Sequence, residues 1–134
     1  MSYLLDTSTC ISIINKKPSS ALKRIQTKRP DQIAVSTITQ AELEYGVARS
    51  SFPDRNRIAL LHFLFPFRML DFDQSAAVQY GGIRAFLESK GTPIEPVDLL
   101  IAAQAKSRDL ILVTNNEKEF QRIEGLKMEN WVRT

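Results

Sequence analysis

The chain of 134 residues contains one cysteine, one histidine, one tryptophan and only five glycines, and these scarcities exclude a good deal of chemistry. Cys10 has no second thiol to pair with, so no internal disulfide forms. Cys10 and His62 together cannot supply a zinc ligand set. A triad built on histidine would depend on His62 alone. That residue lies in Ile58-Ala59-Leu60-Leu61-His62-Phe63-Leu64-Phe65, an apolar helical segment where a structural or interface role fits better. Cys10, between Thr9 and Ile11, reads as a small buried hydrophobe. The glycines build no phosphate-cradling loop, since no glycine-rich turn follows a strand, and Gly81-Gly82 falls inside a helical pattern that it weakens. No apolar run approaches the ~20 residues of a membrane span. The N-terminus lacks a basic segment followed by an apolar core and a small-residue cleavage site, so a cytoplasmic location is expected.

The remaining composition is that of a globular protein, with 43% hydrophobic and 25% charged residues. The length suits one domain spanning 1–134, able to bury roughly two-thirds of its unfolded surface. Net charge is +3, from 18 basic and 15 acidic residues. If Asp6, Glu42, Asp98 and Glu119 share a pocket, 11 acidic residues remain against 18 basic ones, an excess of +7 elsewhere. An acidic hole in a basic surface suits an enzyme acting on nucleic acid, and a merely solvated surface is the alternative.

The opening stretch, Tyr3-Leu4-Leu5-Asp6-Thr7-Ser8, organises the rest. Three apolar residues form a buried strand that stops at a carboxylate, and hydroxyls follow that can start a helix. Asp6 is therefore either a helix cap or an acid at the carboxyl edge of a sheet, where open α/β folds bind ligands. Helices are expected over 9–16 and, from Pro18, to about residue 28, the second carrying Lys23, Arg24, Lys28 and Arg29 on a solvated or RNA-contacting face.

A short strand, Ile33-Ala34-Val35, leads through Ser36-Thr37 into a helix over 38–50. Glu42 shares a face with Ile38 and Tyr45, read as inward-leaning, so its carboxylate calls for a cation or metal; Glu44 points elsewhere. Residues 55–65 form a helix whose apolar surface is wider than one small chain can cover, and self-association is expected.

A third strand over 69–72 precedes a long helix capped by Asp73 and ending at Gly91. Residues 92–98 run extended into a buried helix over 99–106 that carries Asp98 at its first turn. Leu110-Ile111-Leu112-Val113-Thr114 reads as a central parallel strand. It is followed by a short helix over 117–122 containing Glu119, and then by an edge strand within 126–132. Alternating strands and helices predict a parallel sheet covered on both faces.

Separate strand-helix junctions and one helix face thus deliver Asp6, Glu42, Asp98 and the pair Asn116 and Glu119. Oxygen donors of this kind suit a hard divalent cation, Mg²⁺ or Mn²⁺, that bridges to phosphate. Each acid alone is equally well explained as a cap or a surface charge.

The segments Leu4-Leu5-Asp6-Thr7, Ile38-Thr39-Gln40-Ala41-Glu42-Leu43, Asp98-Leu99-Leu100-Ile101-Ala102-Ala103 and Leu112-Val113-Thr114-Asn115-Asn116-Glu117-Lys118-Glu119-Phe120 together resemble, in order and spacing, the four acidic motifs of the PIN-domain ribonucleases. Within that family they are similar to the VapC toxins of bacterial toxin-antitoxin modules. Ser8 stands where the family usually has Asn, Val97 where a polar residue commonly precedes the acid, and Asn116 where many members have Asp.

The resemblance implies a three-layer α/β/α fold with a central, mostly parallel twisted sheet. It implies Mg²⁺-dependent cleavage of an RNA phosphodiester, with Asp6, Glu42 and Asp98 holding the cation and Glu119 and Asn116 completing its shell. Thr7 and Thr114 would orient these carboxylates. It further implies tRNA as a target, initiator tRNA in particular, and a VapB-like antitoxin as partner, while the apolar surface of Ile58 to Phe65 points to a homodimer.

Rival folds with acids at strand ends fit less well. A dehalogenase-type phosphatase needs an acid at position 8, which is Ser8, and a receiver domain needs a lysine after its last core strand, where Asn115 and Asn116 stand. A non-catalytic RNA- or protein-binding module with a structural metal also satisfies the sequence.

Overall fold

The strands pair side by side because their residues are apolar on both faces. In the computed structural model, which describes residues 2–133, every residue of β1 (Tyr3–Leu5), β2 (Ile33–Ser36) and β4 (Ile111–Val113) is buried. Runs buried on both sides are the mark of inner strands of a parallel sheet. β3 (Arg68–Leu70) and β5 (Met128–Glu129) flank them in the order β3-β2-β1-β4-β5, every pairing parallel. The predicted third strand is displaced by one residue at its start and ends at Leu70. As an edge strand it leaves Arg68 and Met69 exposed.

The two-residue alternation of the strands sorts the core into two halves. Tyr3, Leu5, Ile33, Val35, Ile111 and Val113 face one side, where α1 (Thr7–Asn15), α2 (Ser19–Ile25), α3 (Thr37–Ala48) and α4 (Pro53–Leu64) supply Cys10, Ile13, Ala21, Leu43, Val47, Leu60 and Leu64. Leu4, Ala34 and Leu112 face the other. There α5 (Gln74–Ser89), α6 (Pro96–Ser107) and α7 (Glu117–Phe120) supply Leu87, Leu99, Ile101, Ala102, Ala105 and Phe120. Three layers result, as expected. Cys10 is fully buried, in keeping with its reading as a small hydrophobe.

Local chemistry sets the boundaries. α2 stops at Ile25, three residues before its expected end, and a turn leads to the 3₁₀ turn Pro30–Gln32. α6 begins at Pro96, earlier than the extended run of prolines predicted. Pro96 takes the first helical position, where its missing N–H is no loss, and the Glu95 side chain accepts from the Asp98 N–H at 3.1 Å. α5 runs unbroken through Gly81 and Gly82. α4 buries Leu60 and Leu64 but leaves Ile58, Leu61 and Phe65 exposed, Phe65 at 90%, so its apolar surface is indeed wider than the chain covers. His62 lies exposed in its last turn. None of the helices is long and apolar enough to cross a membrane, among the described residues.

Candidate active site

β1 is the point where the chain changes direction across the sheet. From it the polypeptide moves outward through β2 and β3, then returns on the opposite side as β4 and β5. Crevices at the carboxyl ends of strands flanking such a switch are where open α/β sheets bind ligands. Leu5 is in register with Val35 and Val113, so Asp6, Ser36 and Thr114 come level at this edge.

Asp6 fills both roles left open by the sequence. Its Oδ1 accepts from the Thr9 N–H at 2.9 Å, capping α1, and the residue is only 5% exposed at the crevice. Burial raises its carboxyl above the usual value. Hydrogen bonds from the Thr114 hydroxyl, the Thr9 N–H and the Ser8 hydroxyl, the last at 2.8 Å, act against that rise. Ser8, standing in place of Asn, therefore still binds the acid beside it.

Glu42 sits at the margin of α3. The buried face of that helix is Thr39, Leu43 and Val47, a spacing of four, which leaves Glu42 half-buried and turns Tyr45 out to solvent at 67% exposure. The expected inward lean thus holds for Glu42 only in part and fails for Tyr45. The Thr7 hydroxyl donates to Glu42 Oε1 at 2.5 Å and approaches the fully buried Thr39 hydroxyl at 3.3 Å. Glu44 points away, as predicted, and pairs with Arg57.

Asp98 registers the gathering of the acids. Burial first, and then the charges of Glu119, Glu95, Asp6 and Glu42, push its carboxyl up to about 6. Carboxylates from four distant stretches of sequence thus share one field. Glu119 adds a buried Oε1 with no hydrogen-bond partner, while its Oε2 accepts from the Asn116 amide at 2.5 Å. Asn116 is exposed and turns its side-chain N–H toward Glu119, so it orients that acid. Among the described residues, none of the ion pairs involves Asp6, Glu42, Asp98 or Glu119.

A cluster of unpaired acids with an orphaned buried oxygen is chemically suited to a hard cation. Among the described residues, no three His, Cys, Asp or Glu side chains form a group that could hold a metal ion as they stand, and the expected role of these acids allowed ligation through water as well as direct ligation.

Several contributors escaped the sequence reading. Glu95 adds to the acidic field while capping α6, a role that the spacing Glu95-Pro96-Val97-Asp98 could have indicated. Asn115 donates from its side chain to the Ser12 hydroxyl at 3.2 Å and from its backbone to Ser8 Oγ at 3.4 Å, tying the loop that carries Asn116 and Glu119 to α1. A groove of about 830 Å³ opens beside Glu42, with Thr7, Ile11, Tyr45 and Arg49 among its walls.

The basic residues expected on the second helix show mixed employment, Lys28 and Arg29 lying beyond its end at Ile25. Arg24 pairs with Glu129, Lys28 lies 4.9 Å from the Tyr3 ring and Arg29 pairs with Asp31.

Comparison with known proteins agrees with this arrangement. The family model described as PIN domain matches residues 3–126. The chain is 42% identical over 131 residues to a tRNA(fMet)-specific endonuclease VapC of Salmonella typhimurium, covering 98% of each. It is also 42% identical over 132 residues to ribonuclease VapC2 of Rickettsia felis, again covering 98% of each. The solved structure of DNA-bound VapBC from Salmonella typhimurium superposes with a TM-score of 0.92 at 42% identity, covering 98% of both chains. A non-catalytic module is thereby set aside, and the chain belongs to the PIN-domain family, as a VapC-type ribonuclease toxin of a toxin-antitoxin module.

Proposed function

We propose that residues 1–134 act as a single PIN domain that cleaves an RNA phosphodiester with the help of Mg²⁺, or Mn²⁺ in its place, in the cytoplasm. The observation that carries this reading is the convergence on Asp98 of Glu119, Asp6 and Glu42, acids remote in sequence that have no ion-pair partner among the described residues and that add their charges to burial in raising its carboxyl. Asp6, Asp98, Glu42 and Glu119 would hold the cation, and Asn116 would complete the set or hold Glu119 in place. When bound, the cation supplies Lewis acidity toward the phosphoryl oxygen, stabilises the leaving alkoxide and makes a water acidic enough to attack.

The chain's own residues prepare that chemistry. Ser8, the Thr9 N–H and Thr114 hold Asp6, and the Thr7 hydroxyl holds Glu42 Oε1. Carboxylates fixed by hydrogen bonds keep their donor oxygens aimed at one place. The field at Asp98 favours binding a positive charge in the crevice and disfavours an approaching phosphate without one.

The substrate in this reading is tRNA, and initiator tRNA in particular, which is what the name of the Salmonella typhimurium relative states of that protein. The partners are a VapB-like antitoxin and a second copy of the chain. The uncovered apolar residues Ile58 and Leu61 of α4, and Phe65 at its C-terminal cap, support such association. Mapping of new RNA 5′ and 3′ ends after brief expression in cells tests the reading. A cut confined to one tRNA species is expected, and the absence of new ends in any RNA would refute it.

A further inference from the structure

Tyr45 occupies an unusual place for a large aromatic side chain. It lies on α3 one turn beyond Glu42, is 67% exposed, and shares the groove wall with Thr7 and Glu42. Residues three apart on a helix are neighbours, so the ring stands beside Glu42. The Arg49 guanidinium lies 5.4 Å from the ring centroid, on the side away from Glu42 in sequence. Arg49 makes no ion pair among the described residues, whereas Arg57 and Arg24 are engaged by Glu44 and Glu129. Gly46, next to Tyr45, has no heavy atom within 4 Å of where a Cβ would stand, so nothing within the chain requires glycine there. Glycine is unfavourable inside a helix, and its effect here is to leave the groove clear beside the ring.

We infer that Tyr45 and Arg49 form a nucleotide ledge, on which Tyr45 stacks against the base adjoining the scissile phosphate and Arg49 pairs with a neighbouring backbone phosphate. The inference rests on the ribonuclease reading above and names how the substrate is held. Single-stranded RNA is commonly gripped in this way, because every base offers a flat π face while the backbone offers charge. A protein segment could also lie on the apolar walls formed by Ile11, Ile14 and Ala59. A guanidinium outside any ion pair among the described residues favours a polyanion, and the groove has Glu42, one of the carboxylates that a phosphodiester must reach, in its wall.

The test uses the full chain with Mg²⁺ and an oligoribonucleotide spanning the bond that the wild-type protein cuts. Tyr45→Ala is expected to raise KM about 10-fold with kcat nearly unchanged, the range that loss of one stacked base gives, and Tyr45→Phe to behave as wild type. Replacing the adjoining nucleotide by an abasic ribose should impose the same penalty on the wild type and little further penalty on Tyr45→Ala, since both changes remove one contact. Arg49→Gln should weaken binding and reduce its salt dependence by about one phosphate contact. An unchanged KM for Tyr45→Ala, a fall in kcat alone, or an abasic penalty that persists undiminished in Tyr45→Ala would each overturn the ledge. A loss of antitoxin binding by Tyr45→Ala with RNA kinetics intact would assign the groove to protein instead. If the wild type cuts no RNA, the ribonuclease reading itself fails, which is a separate outcome.

Discussion

Asp98 is the residue whose chemistry is most changed by the fold. In the unfolded chain its carboxyl titrates near 3.8, and in the folded protein near 6, because burial and the charges of Glu119, Glu95, Asp6 and Glu42 all disfavour its ionised form. The folded state therefore holds this proton more tightly than the unfolded state does. The resulting stabilisation is fully present below pH 3.8 and is lost as the pH rises through about 6. Asp98→Asn removes the titration. In metal-free protein the variant should be more stable than wild type at pH 7.5 by roughly 1 kcal/mol, a figure discounted because the group is half exposed to solvent. The difference should shrink toward zero as the pH falls to 4. Urea unfolding across that range checks it, and parallel stability profiles for the two proteins would show that Asp98 is not under repulsion. Asp98 itself was visible in the sequence as an acid at the start of a buried helix. Glu95 carried only the cap spacing of Glu95-Pro96-Val97-Asp98, which an exposed acid among prolines masks as a loop until its side chain is seen to accept from the Asp98 N–H.

At the scale of elements, the junction of β1 and α1 unites structure and function in one side chain. Asp6 caps α1 through Oδ1 and also supplies one of the site's charges. Substitution separates the two roles. Asp6→Asn retains an oxygen for the Thr9 N–H, whereas Asp6→Ala leaves that donor unsatisfied and should be less stable than Asp6→Asn by about 1 kcal/mol. Both should lose RNA cleavage. Thermal melts of the two variants decide the point, and coincident midpoints would mean that the capping bond contributes nothing. The inner strands were legible because their residues are apolar on both faces. The helix carrying Glu42 was legible from its Ser36-Thr37 start, and Ser36 does accept from the Ile38 N–H, at 3.0 Å. Its rotation was misjudged at Tyr45, since the helical period places Tyr45 beside both the buried row and the groove, and only packing decides between them. Edge strands were the least legible elements. β5 keeps two residues, because its pairing depends on the neighbouring strand more than on its own sequence.

The whole molecule places four acids at the carboxyl edge of a parallel sheet, around the strand where the chain reverses its direction of winding. This convergence follows from topology: β1, α3, α6 and α7 are far apart in sequence, and parallel strands with crossovers return each of their starts to one edge. The order of the acidic motifs was enough to identify the family, but their mutual distances were not readable before folding. Neither was the absence, among the described residues, of a closed chelating set. In the proposed mechanism these carboxylates act through a divalent cation, because without one they repel both each other and the phosphate. The most direct test of this is cleavage of a defined RNA by the purified chain in excess EDTA and then across a Mg²⁺ titration, with Asp98→Asn in parallel. No cleavage is expected in EDTA, with recovery by Mg²⁺ or Mn²⁺ in the wild type and none at any concentration in Asp98→Asn; full cleavage in EDTA, or by the variant, would refute action through a divalent cation.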